Sequence, residues 1–129
     1  MTTLILDSGG VSALAAQRAR LAELRRRELW PAQVPSVVLA EALTGDHRRD
    51  VAANRLLKAC QIRDVTELLG REAARLRGAT GRAGTVTATD AIVVAFASAC
   101  DAPVIFTSDP KDLGALADHA AQSIRVSPT

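Results

Sequence analysis

Aromatic side chains are scarce in this chain: two Phe, one Trp and no Tyr among 129 residues. An extended platform on which bases stack one after another is therefore disfavoured. Cysteine is nearly as rare. Cys60 and Cys100 form no CxxC pair and have no histidine beside them, which argues against a zinc site and for reduced, buried thiols. His47 and His119 lack both a second ligand at metal spacing and a neighbouring nucleophile, so structural or surface roles are expected of them. Neither GxxxxGK[ST] nor GxGxxG occurs, which leaves the glycines of Gly78 to Gly84 to be read as a mobile connection and not as a phosphate-binding loop. No charged leader precedes a long apolar stretch, and no run approaches the roughly 20 apolar residues that span a bilayer, so a cytoplasmic protein without membrane contact is expected.

What is plentiful is arginine. Fourteen of the sixteen basic residues are Arg, against fourteen acids, for a net charge of +2. Arginine suits phosphate recognition. If several acids withdraw into one pocket, the remaining surface is more basic than the total implies, which favours a polyanionic partner.

The apolar pattern alternates strands with helices. A strand at about Thr3 to Leu6 runs into Ser8-Gly9-Gly10, and a helix follows from Val11 through Leu14 and Ala15. A second, charged helix carries Leu21, Leu24 and Arg25 to Arg27. A short strand lies near Leu29 to Val34, and Pro35-Ser36 opens the helix that bears Glu41, with Gly45 as its stop. An amphipathic helix is expected from Arg48 to Cys60 and a strand around Gln61 to Val65. Asp64 and Glu67 form a capping pair for a helix that buries Val65, Leu68, Leu69, Ala73 and Leu76. Ala91 to Cys100 reads as a central helix, Val104 to Phe106 as a buried strand, Pro110 as a helix start, and Ser123 to Val126 as a closing strand. Such alternation predicts an α/β fold with a doubly wound parallel sheet and right-handed crossovers, in one domain.

Four acids stand where such a sheet delivers side chains to one edge. Asp7 and Asp109 follow the apolar strands, Glu41 lies within Val37-Val38-Leu39-Ala40 and Ala42-Leu43, and Asp90 opens the central helix. Each has an ordinary explanation. Asp109-Pro110 reads as a helix cap, Thr87 with Asp90 as a capping box, Asp7 as a turn residue and Glu41 as part of a solvated face. Together, four carboxylates in one crevice repel one another unless divalent cations neutralise them, and hard oxygen ligands suit magnesium or manganese. Glu41 in apolar company is expected to be buried against such a cation. Metal-dependent phosphate chemistry is the leading expectation. Removing Asp7 or Asp90 should relieve repulsion and leave metal-free stability unchanged or higher.

LILDS at 4 to 8, PSVVLAEAL at 35 to 43, TATDAIVVAFA at 87 to 97 and IFTSDPKDL at 105 to 113 resemble PIN-domain proteins, above all the VapC toxins of type II toxin-antitoxin systems. The motifs follow family order and spacing over nearly the whole chain. The resemblance implies a PIN-like three-layer α/β/α domain over residues 1 to 129, with a central parallel sheet of four to five strands. It also implies an Mg2+- or Mn2+-dependent endoribonuclease that leaves a 3′-hydroxyl and a 5′-phosphate and so inhibits translation. Carried over motif by motif, Asp7, Glu41, Asp90 and Asp109 are the catalytic metal ligands, Asp112 matches a further metal-binding acid, and Ser8, Thr107 and Ser108 take supporting places. The implied partners are a transfer RNA or ribosomal RNA substrate, a cognate VapB antitoxin and a second copy of the chain. The low aromatic content favours recognition of a folded RNA's shape. Arg25, Arg26, Arg27, Arg71, Arg75 and Arg82 are candidate phosphate contacts, and the apolar positions around Leu14, Leu21, Leu24, Val51 and Leu56 are candidates for core or for partner contact. Two rival classes stand beside this one. A receiver-type phosphoacceptor needs an adjacent acidic pair after the first strand and a lysine after the last, whereas Asp7 is followed by Ser8 and the last strand offers Arg125. A catalytically silent PIN-like binding protein usually lacks one or more of the acids, all of which are present.

Overall fold

The computed structural model describes residues 1 to 129. Strand β1 (Thr3–Leu6) leads into helices α1 (Ser8–Ala16) and α2 (Arg18–Arg26). Strand β2 (Gln33–Pro35) is followed by a 3-10 turn at Ser36–Val38 and the short α3 (Leu39–Ala42). Then come α4 (Val51–Lys58), β3 (Gln61–Arg63), α5 (Glu67–Ala79), α6 (Ala88–Ser98), β4 (Pro103–Thr107), α7 (Pro110–Ala117) and β5 (Arg125–Pro128).

All five strands are parallel, in the order β3-β2-β1-β4-β5. Leu4, Ile5 and Leu6 point alternately to the two faces, yet all are buried. The central strand is therefore covered on both sides, as a continuous apolar run in a parallel sheet requires. One cover is built on α1, which packs against α2, α3 and α4, and the other on α5, α6 and α7. This is the expected three-layer α/β/α arrangement. From Ala91 to Ala97 every residue of α6 except Ile92 is buried, which explains its lack of a polar face. In α1 the buried Gly10, Val11 and Leu14 fall on one side of a short helix.

Several boundaries differ from expectation, each for a local reason. Helix α1 begins at Ser8, because Asp7 itself caps it. Thr66, not Asp64, caps α5: its side chain accepts from the Leu69 amide at 3.2 Å. Leu68, expected inside, is 77% exposed, and Val51 is likewise exposed. Gly78 belongs to α5. The segment after it is a fastened turn: Arg77 donates to the carbonyls of Ala83 (2.6 Å) and Val86 (3.0 Å), and Thr80 accepts from the Arg82 amide (3.0 Å).

Candidate metal centre

In an open parallel sheet, ligands gather beyond the carboxyl ends of the strands, where the strand order reverses direction. Here that point lies between β1 and β4, since the chain proceeds from β1 towards β2 and from β4 towards β5. Asp7 immediately follows β1, and Asp109 stands two residues past β4. Asp90 lies in the first turn of α6 and Asp112 in the first turn of α7.

The capping roles are real, and they do not compete with convergence. A carboxylate has two oxygens. Asp7 Oδ1 accepts from the Gly10 amide at 2.8 Å as the N-cap of α1, while Oδ2 accepts from the Thr107 hydroxyl. Thr107 Oγ1 in turn accepts from the Asp109 amide at 2.9 Å. Asp109 caps α7 through the Asp112 amide at 3.4 Å, with Pro110 at the first helical position. Thr87 caps α6 by accepting from the Asp90 amide at 3.1 Å. Three helix starts thus face one crevice, and their unpaired amides favour negative charge there.

Oxygens of Asp90, Asp109 and Asp112 all lie within 4.8 Å of one another. Such oxygen-only donors suit a hard divalent cation. Asp7 and Glu41 are outside that tightest group, but both raise the pKa of Asp90. Burial, followed by the charges of Asp109 and Asp7, pushes Asp90 up to about 6. The Asp7 pKa is also raised, chiefly by burial, against the lowering effect of its Thr107 and Gly10 hydrogen bonds.

Glu41 departs from expectation. It is exposed on α3, because this four-residue helix buries none of its residues and directs the carboxylate to the open side of the crevice, where Asp90 senses it. Of the supporting hydroxyls, Thr107 is fully buried and linked to both Asp7 and Asp109. Ser8 is half-buried and Ser108 exposed, and neither joins this hydrogen-bonded chain.

Two features were not read from the residues. A Cβ on Gly10 would lie 2.3 Å from the Phe106 carbonyl, and one on Gly9 would lie 1.9 Å from Ser108 Oγ. The glycines let the start of α1 press against the end of β4, bringing Asp7 to Thr107. Asp50 is buried and accepts from the Thr44 amide, the Thr44 hydroxyl and the Gly45 amide, each at 2.9 Å. These bonds lower its pKa and hold the connection between α3 and α4. The Gly-Gly pair and the Thr-Gly turn carried the signal, but neither reveals its distant contact. Of the apolar positions expected in the core or at a partner, Leu14 and Leu56 are buried in the core and Leu21 is half-buried, and all three line a groove of about 590 Å³ between α1, α2 and α4, bordered by Arg18, Arg25 and Arg55.

No protein-family model and no curated protein matches this chain. Solved structures do. A chain of the DNA-bound VapBC structure from Salmonella typhimurium superposes with a TM-score of 0.73 at 15% identity, over 99% of this chain and 98% of that one. VapBC2 from Rickettsia felis, bound to a DNA fragment from its promoter, gives 0.70 at 15% identity, over 100% and 99%. PAE2754 from Pyrobaculum aerophilum gives 0.63 at 16% identity, over 96% and 83%. The chain therefore has the PIN-like fold shared with these proteins, as the four motifs led one to expect.

Proposed function

We propose that residues 1 to 129 form one PIN domain that hydrolyses RNA as a metal-dependent endoribonuclease, the toxin partner of a VapB-type antitoxin. The observation that carries this reading is the group of Asp90, Asp109 and Asp112 oxygens within 4.8 Å at the reversal of strand order. Asp7, Glu41, Asp90, Asp109 and Asp112 would hold Mg2+ or Mn2+. When bound, such an ion activates water and offsets charge developing at the phosphoryl group. Thr107 orients Asp7 while positioning the Asp109 backbone, so a single hydroxyl sets the spacing of two acids. The helix starts that face the crevice keep the carboxylates ionised once a cation is present. No histidine base is needed.

The groove between α1, α2 and α4, which presents Ala15, Leu21, Ala22 and Ala52 among three arginines, suits an apolar, acidic antitoxin segment. Exposed Leu68, beside Leu69, Ala95 and Ala99, offers a surface for a second copy. The receiver-type alternative loses ground on topology: that fold has the order 2-1-3-4-5, whereas this sheet is 3-2-1-4-5. In addition, no helix is long and apolar enough to cross a membrane.

The test is incubation of purified protein with transfer RNA and ribosomal RNA in Mg2+ or Mn2+, with EDTA and Asp90→Asn controls and mapping of new 5′ ends. Discrete metal-dependent cuts carrying 5′-phosphates, lost in the variant, are expected. Intact RNA under conditions of demonstrated Mn2+ binding would instead support a silent binding protein.

A further inference from the structure

Five of the six ion pairs in the molecule join residues three or four apart within one local segment: Arg26 and Arg27 with Glu23, Arg49 with Asp46, Arg71 with Glu67 and Arg75 with Glu72. The sixth is different. Arg82 Nη2 reaches Asp112 Oδ1 at 2.9 Å across thirty residues of sequence, and Asp112 belongs to the tight carboxylate group. Of the arginines considered above as phosphate contacts, Arg82 alone is ion-paired to that group. Arg26, Arg27, Arg71 and Arg75 are held by local glutamates, and Arg25 lies over the Trp30 ring on the groove side.

The turn that carries Arg82 is built to hold it still. Arg77 clamps the carbonyls of Ala83 and Val86, and the Arg82 carbonyl accepts from the Thr85 hydroxyl and the Thr85 and Val86 amides. The side chain nonetheless remains 41% exposed, so most of its five N–H donors are not engaged by Asp112.

We propose that Arg82 is a substrate-positioning residue which divides its guanidinium between Asp112 and a backbone phosphate of the bound nucleic acid. This inference rests on the proposed nuclease reading of the same crevice. Without substrate, Arg82 neutralises part of the cluster and competes with a cation for Asp112. With substrate, its open donors take a phosphate oxygen, the planar fork being suited to bridging two anions. Removing the guanidinium therefore has two opposite effects: the carboxylates become more available to metal, and the substrate loses an anchor.

The test compares wild type, Arg82→Gln and Arg82→Lys in two measurements. Mn2+ binding is followed calorimetrically without RNA, and steady-state cleavage is followed on the RNA identified by 5′-end mapping. Arg82→Gln should bind Mn2+ several-fold more tightly and show a KM raised about tenfold with kcat nearly unchanged, as expected for loss of uniform binding. Arg82→Lys should restore part of the KM and most of the wild-type Mn2+ affinity. Unchanged or weaker Mn2+ binding by Arg82→Gln, or a fall in kcat at constant KM, would overturn the proposal. If wild type cleaves no RNA, the nuclease reading fails on its own, and the Mn2+ titration still decides whether Arg82 competes for the carboxylates. Circular dichroism melts of all three proteins separate these effects from misfolding.

Discussion

The acidic crevice at the carboxyl edge of the sheet and the groove between α1, α2 and α4 are the molecule's two contrasting concavities. In the first, Asp90, Asp109 and Asp112 converge from two helix starts, with Asp7 and Glu41 close enough to raise the Asp90 pKa. In the second, Leu14, Leu21 and Leu56 lie between Arg18, Arg25 and Arg55. The first places hard, charged oxygens where the fold already supplies helix-terminal amides, and the second is floored by the buried Leu14 and Leu56 beneath a basic rim. A net charge of +2 conceals this division. One helix serves both, since α1 is capped by Asp7 at its start and lines the groove with Leu14 and Ala15 further on.

The sharpest way to test that contrast is to remove one side of it. Asp90→Asn or Asp109→Asn should abolish metal-dependent RNA cleavage, by at least the roughly 100- to 1,000-fold that loss of one electrostatic contact costs an active site. Melting in metal-free buffer should show the Asp90 variant as stable as wild type or more so. Asp7 is a separate case. Because it caps α1 and binds Thr107, Asp7→Ala should lose about 1–2 kcal/mol from the cap alone, which replaces the expectation of neutral removal.

Next in size, Gly10→Ala forces a methyl towards the Phe106 carbonyl. A loss of about 3 kcal/mol in urea unfolding is expected, near the upper end for overpacking. Thr107→Val keeps the shape but removes the hydroxyl between Asp7 and Asp109. Metal affinity, measured by Mn2+ titration, should fall roughly 10- to 100-fold, with the unpaired Asp109 amide adding to the stability loss. Reversing Arg18 and Arg55 to Glu should leave RNA cleavage intact and weaken binding of an acidic, apolar partner peptide by about tenfold, or about 1.4 kcal/mol, in a fluorescence titration. If cleavage fell with it, the two concavities would not be independent.

The smallest effect is electrostatic. The Asp90 pKa is about 6 in the folded chain, against an ordinary value of 3.8. Between those values the folded state keeps a proton that the unfolded state releases, so stability falls as pH rises through the window and levels off above it. Metal-free protein should therefore melt higher at pH 5 than at pH 7, by on the order of 2–4 °C, and Asp90→Asn should flatten that slope. Asp7, also raised, acts in the same direction.

The inner strands β1 and β4 and the central helix were legible because burial on both faces writes itself as unbroken apolar runs, as in Leu4-Ile5-Leu6 and Ala91 to Ala97. Asp109 was legible as a cap through Pro110. What stayed hidden depends on partners distant in sequence. Val37 to Leu43 looks buried, yet Glu41 is exposed because α3 is too short to turn all sides inward. Gly78 to Gly84 looks mobile until Arg77 is seen to clamp it. Asp50 gave no periodic signal, since its value lies in closing a turn around Thr44 and Gly45.

The hydrogen bond between Asp7 and Thr107 spans one hundred residues, and β1 pairs with β4 across the same interval. During synthesis, Asp7 emerges early but must wait for most of the chain before Thr107 and Asp109 can join it. The junction is consequently delayed until β4 has been made. On the proposed nuclease reading, a nascent chain that stops short of β4 lacks Thr107, Asp109 and Asp112 and so cannot assemble the acidic crevice.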